Sequence, residues 1–596
     1  MIDNKNMILA VVLSIAILVG FEMYSKTTRP APQPGAKVEG EQDAPTPTPP
    51  ALKPGVAATD KPGRLPSAAP IKDAAIPTAP GLPTTAGALS RKAPLKSSLR
   101  VRINTPRMHG SIALTGGRLD DLTLADYRET LDADSAEIVV LIPKGDKNAY
   151  FAEFGWVSPD GQPVPNAETV WKTRAKTLSP ETPVTLTWNN GQGLNFSRTY
   201  AVDENYMFTI TQKVANTGTK PATLYPYGLI SRRGTPEVSG FYLIHEGLMG
   251  VANNTLQEID YDEIQEQKQV KDSAKGGWIG ITDKYWLAAL VPDQNVLVST
   301  RYSYRRESGD DIYQVDYLSA AMTVAPGGAA TVQNRLFAGA KEVTVMDAYN
   351  EKLGIDRFDL TIDFGWFYFL TKPIFYALLY INNVVMNFGI SIILLTMMIK
   401  LIFFPLANKS YTSMSRMKKL APQMKTLRER FGDDKTRLNQ EMMELYKREK
   451  VNPASGCLPI IIQIPVFFAL YKVLFVNIEM RHAPFFGWIQ DLSAADPTSV
   501  FNLFGLIPWT PPDFLLIGVW PLIMGASMYL QQKLNPQPTD PMHAKIFQFL
   551  PIMFTFLLAR FPAGLVIYWA VNNVLSMAQQ WVIMRRMGFT GKEALK

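Results

Sequence analysis

A chain of 596 residues with 19% charged and 47% apolar residues is too poor in charge for a string of ordinary soluble domains. Its single cysteine, Cys457, excludes a disulfide framework and a cysteine-built zinc site, and its four histidines are scattered. No phosphate-binding GxxxxGKS/T loop, GxSxG elbow, GxGxxG fingerprint or HExxH helix is present, so nucleotide-driven and standard metal-dependent enzymes are disfavoured and no cofactor is expected.

Met7 to Phe21 is apolar and no A-x-A cleavage site follows it, which predicts a signal anchor over 1–26, a cleaved signal peptide being the alternative. Residues 27–96 are rich in Pro, Ala, Thr and Gly, with fifteen of the 44 prolines between Pro30 and Pro94. Such a stretch has too little apolar surface to offset its ordering entropy and reads as an extended tether. Residues 97–342 read as all-β, with alternating or β-branched runs at 184–188, 208–211 and 296–300 and turn clusters such as Asn189-Asn190-Gly191. Beyond a mixed stretch, 343–387 becomes aromatic, with Trp366, Tyr368, Tyr376 and Tyr380 suited to a headgroup zone. Apolar segments follow at 388–406, 456–478 and 513–531, and a last block is divided by Phe561-Pro562-Ala563-Gly564 into 546–560 and 563–584.

Charge orients these segments. Residues 407–455 hold twelve basic and six acidic residues, nearly the whole net charge of +7, which places this loop in the cytoplasm. The basic balance is thus a topology signal, and no nucleic-acid partner is implied. Parity then sets 343–387 flat on the outer surface, 479–512 outside, 532–545 inside and the tail 585–596 inside: six spans with both termini cytoplasmic. Within the loop, Met414, Met417, Met424, Leu427 and Phe431 recur at helical spacing, Gly432-Asp433-Asp434 starts a second helix, and Leu438, Met442 and Leu445 continue the stripe. The stripe either closes an αα-hairpin on itself or docks a nascent chain, a ribosome or lipid headgroups.

Lys400 is the sharpest feature. It lies twelve residues into the returning span, about 18 Å from the outer end of a core about 30 Å thick. A lone cation there costs a few kcal/mol, so it either faces a wet cavity or snorkels to the inner headgroups. Thr396 is one turn earlier; Gln463 lies inside another span, and Asn572, Asn573 and Ser576 lie inside the last, with Tyr568 one turn above Asn572. Polar residues of this kind either glue helices together or line a hydrated groove. Arg560 and Lys472 read as interfacial snorkelling cations, and Cys457 as a packing residue.

The runs Thr396 to Pro405, Tyr411-Thr412-Ser413-Met414, Gly432-Asp433-Asp434-Lys435, Lys450-Val451-Asn452-Pro453, Gly456-Cys457-Leu458-Pro459, Ile462-Gln463-Ile464-Pro465, Asp540-Pro541-Met542 and Phe561 to Trp569 resemble the YidC family of membrane protein insertases. The resemblance covers about 356–584 closely. It implies a five-helix insertase core, a periplasmic β-supersandwich similar in fold to sugar mutarotases, and residence in the bacterial inner membrane. It implies insertion of nascent membrane proteins, alone or beside the Sec translocon, through a positively charged hydrophilic groove. The family's groove cation falls on Lys400, where the best-known members have Arg. Thr396, Gln463, Asn572, Asn573 and Ser576 fall on or beside groove-lining positions, and Phe404, Ile464, Pro465, Tyr568 and Trp569 on positions that contact substrate helices. Partners so implied are nascent chains, the Sec translocon, the ribosome at the hairpin and basic tail, and the bilayer. Two competing readings are a transporter or channel moving a small anion past Lys400, and a sugar-binding or isomerising β domain using His109 or His245. Internal repeats or intramembrane carboxylates that favour a transporter are not evident, and fold alone does not carry sugar chemistry.

Overall fold

The computed structural model describes Leu95 and residues 98–586, apart from 239–243, Trp366, Asp433, 450–457, Thr510, 513–514 and 535–540. The expected anchor, nearly all of the tether, Cys457, Trp366 and the tail beyond Arg586 lie outside the described residues.

Strands between Arg100 and Ala340 form one eleven-stranded and one eight-stranded sheet, antiparallel apart from one short edge pairing. Alternation decides which face is buried: in Leu194–Val202 every second residue is buried, the period a strand demands. Leu297–Glu307 pairs with Asp310–Ser319 through a two-residue turn, Ser308 and Gly309, both with positive φ, whose twist matches that of the flanking strands. A short helix, α1 (Tyr261–Gln267), covers part of this hairpin. After the last strand, α2 (Val343–Lys352) buries Met346 completely, and its Tyr349 Oη donates to Asp203 Oδ2 at 2.6 Å. Phe358, in the turn that follows, meets Phe337 and Trp278 edge-on at 5.6 Å each. The rings close the β core against the start of the helical region.

The helices come in chain order as α3 (Tyr368–Val385), α4 (Phe388–Ile402), α5 (Phe404–Phe431), α6 (Lys435–Arg448), α7 (Leu458–Val476), α8 (Val519–Leu534), α9 (Pro541–Leu558) and α10 (Ala563–Arg586). Asn387 caps α4, its side chain accepting from Ile390 N at 3.0 Å, and Asp434 caps α6 by accepting from Arg437 N at 3.0 Å. In the basic loop, α5 and α6 bury Leu420, Met424 and Leu445 against one another, so much of the Met-rich stripe closes the hairpin on itself. Helix α10 packs against α4, α5, α7 and α8. Its first two turns, Ala563 to Tyr568, are buried throughout, and one face stays buried as far as Met584.

The expected segment 388–406 is not one helix. It breaks at Phe403, and α4 and α5 are bent by 70°. Pro405 explains the break: it lacks an N–H and cannot continue α4, but its fixed φ suits the first turn of α5. Among the described residues no single helix is long and apolar enough to cross a membrane; the bent pair Phe388–Ile402 and Phe404–Leu420 passes only when taken together. The fourth helix of the expected set starts later than the sequence suggests, at Val519, and the fifth starts earlier, at Pro541. The first turn of α8 is held from the preceding loop by Asp496, whose Oδ2 accepts from Trp520 N at 2.9 Å.

The β domain and the helices share one core, which runs from Phe337 and Phe358 through Phe364 and Phe375 to Leu474 and Leu565. Polar contacts hold the junction as well. Lys472, expected as a snorkelling cation, is paired within the protein: its Nζ bonds Asp363 Oδ2 where α7 packs against α3. Arg481 donates to Glu129 O at 3.3 Å and lies 5.8 Å from the Trp286 ring centroid, while Lys284 Nζ sits 4.3 Å over Phe475. Arg560 is exposed at the turn before α10.

Candidate functional site

Four helices, α4, α5, α7 and α10, enclose a cavity of about 50 Å³, room for a few ordered waters. Thr396, Ile399 and Lys400 come from α4; Leu406, Ala407 and Tyr411 from α5; Gln463, Val466 and Leu470 from α7; Tyr568 and Asn572 from α10; and Phe403 stands at the bend. The bend makes the cavity possible. A straight continuation of α4 would carry residues past Pro405 away from the bundle, whereas the 70° turn lays Ala407 and Tyr411 across the cavity mouth.

The polar groups form a short network. Lys400 Nζ donates to Ser576 Oγ at 2.6 Å, and the Ser576 hydroxyl donates in turn to Asn572 O at 2.7 Å, one turn back on α10. Gln463 Nε2 donates to Asn572 Oδ1 at 3.2 Å, tying α7 to α10. Thr396 spends its hydroxyl on Ile392 O, at 2.6 Å within its own helix, so it contributes shape and a methyl group rather than a free donor. Among the described residues Lys400 makes no ion pair, and the cluster holds no carboxylate. A half-buried cation whose protein partners are only hydroxyls and amides keeps most of its attraction for an incoming anion.

The structure brings together Lys400, Thr396, Gln463, Asn572, Ser576 and Tyr568. The other residues named from the sequence lie outside the cavity lining. Asn573 Nδ2 donates to Ser527 Oγ of α8 at 3.1 Å and serves helix packing. Trp569 stacks on Phe467 at 5.3 Å with an interplanar angle of 15° and is not among the cavity residues. Both follow from helix geometry: consecutive residues diverge by about 100°, so Asn572 and Asn573, or Tyr568 and Trp569, cannot share a face. Phe404 and Ile464 are exposed and Pro465 is half-buried, all three outside the cavity lining. Ala407 and Tyr411 escape a reading of the sequence that ends the segment at 406 and sends the chain into a loop. The available signal was Phe403-Phe404-Pro405, a bend rather than an end. Val466 and Leu470, three and seven residues after Gln463, carry the ordinary signature of one helix face.

The model described as the YidC periplasmic domain matches residues 100–377, and that described as the 60Kd inner membrane protein matches residues 380–590. The membrane protein insertase YidC of Methylorubrum extorquens is 49% identical, across 98% of this chain and 96% of that one. The same protein of Bradyrhizobium diazoefficiens is 50% identical, across 99% and 97%. A crystal structure of an active YidC insertase aligns over 83% of this chain and 93% of its own at 18% identity, with a TM-score of 0.34. A galactose mutarotase related enzyme from Lactobacillus acidophilus aligns over 40% of this chain and 97% of its own, at 7% identity and a TM-score of 0.29. At such scores neither structural alignment carries weight, and no sugar chemistry follows from the second. The family models and the near-full-length identities do carry it: this chain belongs to the YidC family of membrane protein insertases.

Proposed function

We propose that this chain inserts nascent membrane proteins into the bacterial inner membrane, using the cavity around Lys400 as a hydrated, positively charged groove. Family membership supports the activity, and one observation supports the route: a cation placed among apolar helices with no acidic partner among the described residues. Evolution rarely leaves such a charge inside a bundle without use, because it costs a few kcal/mol. A wet groove shortens the hydrocarbon path that a short hydrophilic tail must cross, and Lys400 attracts acidic residues in that tail. The substrate's apolar helix then partitions into lipid, and burial of apolar surface at about 25 cal/mol per Å² drives the step without covalent chemistry.

The arrangement we favour has six spans, cytoplasmic termini and a periplasmic β domain; the surplus of basic residues in 407–455 supports it. The α5–α6 hairpin then faces the cytoplasm, where its basic surface suits a ribosome or a nascent chain, and the Sec translocon is a further partner. A photoreactive residue at Gln463 or Tyr411 tests the route. It should crosslink to a stalled single-span substrate, whereas the same probe at Asn573, turned toward α8, should not. Equal yields at all three positions would remove the groove from the account.

A further inference from the structure

Between α7 and α8 lies a segment that neither the cavity nor the shared core explains. From Pro497 to Pro512 the sequence contains no Asp, Glu, Lys, Arg or His. Its large side chains point outward: Phe501, Leu503, Phe504, Leu506, Ile507 and Trp509 are all exposed, Leu506 to 83%. Single exposed apolar residues are ordinary on a protein surface, but a contiguous set of this size is not.

The segment is nevertheless built. Its base is pinned by the buried carboxylate of Asp496, which accepts from Thr498 N at 3.0 Å, Trp488 Nε1 at 3.1 Å and Trp520 N at 2.9 Å. Val500 N donates to Ile517 O, Phe504 N to Ser499 O and Ile507 N to Asn502 O, so the backbone closes largely on itself. Leu503 and Phe504 both adopt positive φ, 48° and 59°. Two consecutive bulky residues in the left-handed region are costly, and the cost is sustained while both side chains face outward.

We infer that this loop is a membrane-dipping wedge, seated in the outer leaflet with Leu506 and Phe504 in the acyl boundary and Trp488 and Trp509 at headgroup level. The occupant of the apolar surface is lipid. A protein partner would be met by a rim carrying charged residues, and the stretch Pro497 to Pro512 has no charged residue to offer one. Internal closure of the backbone is what a lipid-exposed segment requires and what a water-exposed one does not. Both ends of the loop run into apolar helices, and tryptophans with one apolar and one polar edge suit the interface. The inference rests on the six-span arrangement proposed above, which puts this loop outside.

The test uses the full chain with Cys457 replaced by serine and single cysteines at Leu506→Cys, Phe504→Cys and, as a control on the same loop, the exposed Gln490→Cys. Each is labelled with an environment-sensitive fluorophore in vesicles containing nitroxide lipids. Leu506→Cys and Phe504→Cys should emit blue-shifted light, resist aqueous iodide and be quenched most by nitroxides about 5–10 Å below the headgroups. Gln490→Cys should behave as a water-exposed site. Iodide quenching at Leu506→Cys equal to that at Gln490→Cys would overturn the wedge, as would shielding from both iodide and lipid nitroxides, which would show a protein covering the loop. Separately, a membrane-impermeant maleimide applied to spheroplasts should reach Gln490→Cys. Labelling of that site only after lysis would overturn the six-span arrangement, and the outer-leaflet placement with it, whatever Leu506→Cys reports.

Discussion

The β domain and the helical bundle both take cations out of water, and they treat the charge in opposite ways. In the β domain Arg301 grips Asp316, whose side chain is fully buried, through its Nε and an Nη, and Arg118 pairs with Glu153 at 3.1 Å. Arg198, 1% exposed, lies over Trp171 and donates to the carbonyls of Gly116, Gly117 and Phe154. Even Lys341, whose Nζ donates to a hydroxyl, Thr282 Oγ1, feels Asp283, Glu246 and Asp363, although burial still pulls its pKa down to about 8. Among the described residues, Lys400 in the bundle has hydroxyl and amide neighbours and no carboxylate. Where a charge is answered by an opposite charge, or as at Arg198 by several converging carbonyls, it fixes the fold; Lys400, answered by a single hydroxyl beside a cavity, stays attractive to a passing anion.

Breaking the two kinds of site should therefore give opposite outcomes. Arg301→Ala leaves Asp316 buried and unpaired, and should cost about 3–5 kcal/mol of β-domain stability, read from thermal unfolding of the full chain. The double change Arg301→Met with Asp316→Leu should recover most of that loss, because it removes both desolvated charges. Lys400→Met, in contrast, should leave the unfolding temperature unchanged or raise it slightly. A large loss of stability on that change would make Lys400 structural and erase the comparison.

The junction between the two regions gives intermediate effects. Lys472→Met removes the partner of Asp363 and should cost about 1–2 kcal/mol locally, seen as faster proteolysis between the β domain and α3. A pH dependence is expected at the same junction. Burial, with Glu342 nearby, raises the Glu479 pKa from its ordinary value to about 7. Glu342 itself is held by Arg107, Tyr127 and Tyr206. A carboxyl with a raised folded-state pKa keeps its proton in the folded form while the unfolded form ionises. Its favourable contribution is thus complete below the unfolded pKa and is lost as pH rises through about 7. Hydrogen exchange around Ile478 to Met480 should accordingly be slower at about pH 5.5 than at about pH 8 once corrected for intrinsic rates, and Glu479→Gln should abolish the difference. The smallest effect belongs to Lys284→Ala, which loses the contact over Phe475 and should cost about 0.5–1 kcal/mol.

Much of this contrast was legible in the sequence, and the misses share a cause. Lys400 stands out because nothing else in its segment is charged, and Gln463, Asn572 and Ser576 because they interrupt apolar helices. Strand alternation at 184–188 and the Met and Leu stripe of the basic loop translate directly into buried faces. What a one-dimensional reading lost was direction. It could not tell that Asn573 leaves the face that Asn572 and Tyr568 share. A reading that ends the segment at 406 leaves out Tyr411, which the bend before Pro405 returns to the cavity. Nor could it pair Lys472 with Asp363, more than a hundred positions away, since only the packing of α7 against α3 brings them together.

The central claim, that Lys400 has no acidic partner among the described residues because the substrate tail supplies one, is tested most directly by exchanging charges. Purified protein in proteoliposomes would be given one single-span substrate in three forms, with an acidic, a neutral or a basic translocated tail. Wild type, Lys400→Arg, Lys400→Ala and Lys400→Glu would be compared. The account predicts that Arg preserves insertion of the acidic form, that Ala lowers it about tenfold, equivalent to about 1.4 kcal/mol, and that Glu lowers it further while favouring the basic form. An equal response of all three tails to each substitution would contradict it, because Lys400 would then shape the cavity without reading the charge that passes through.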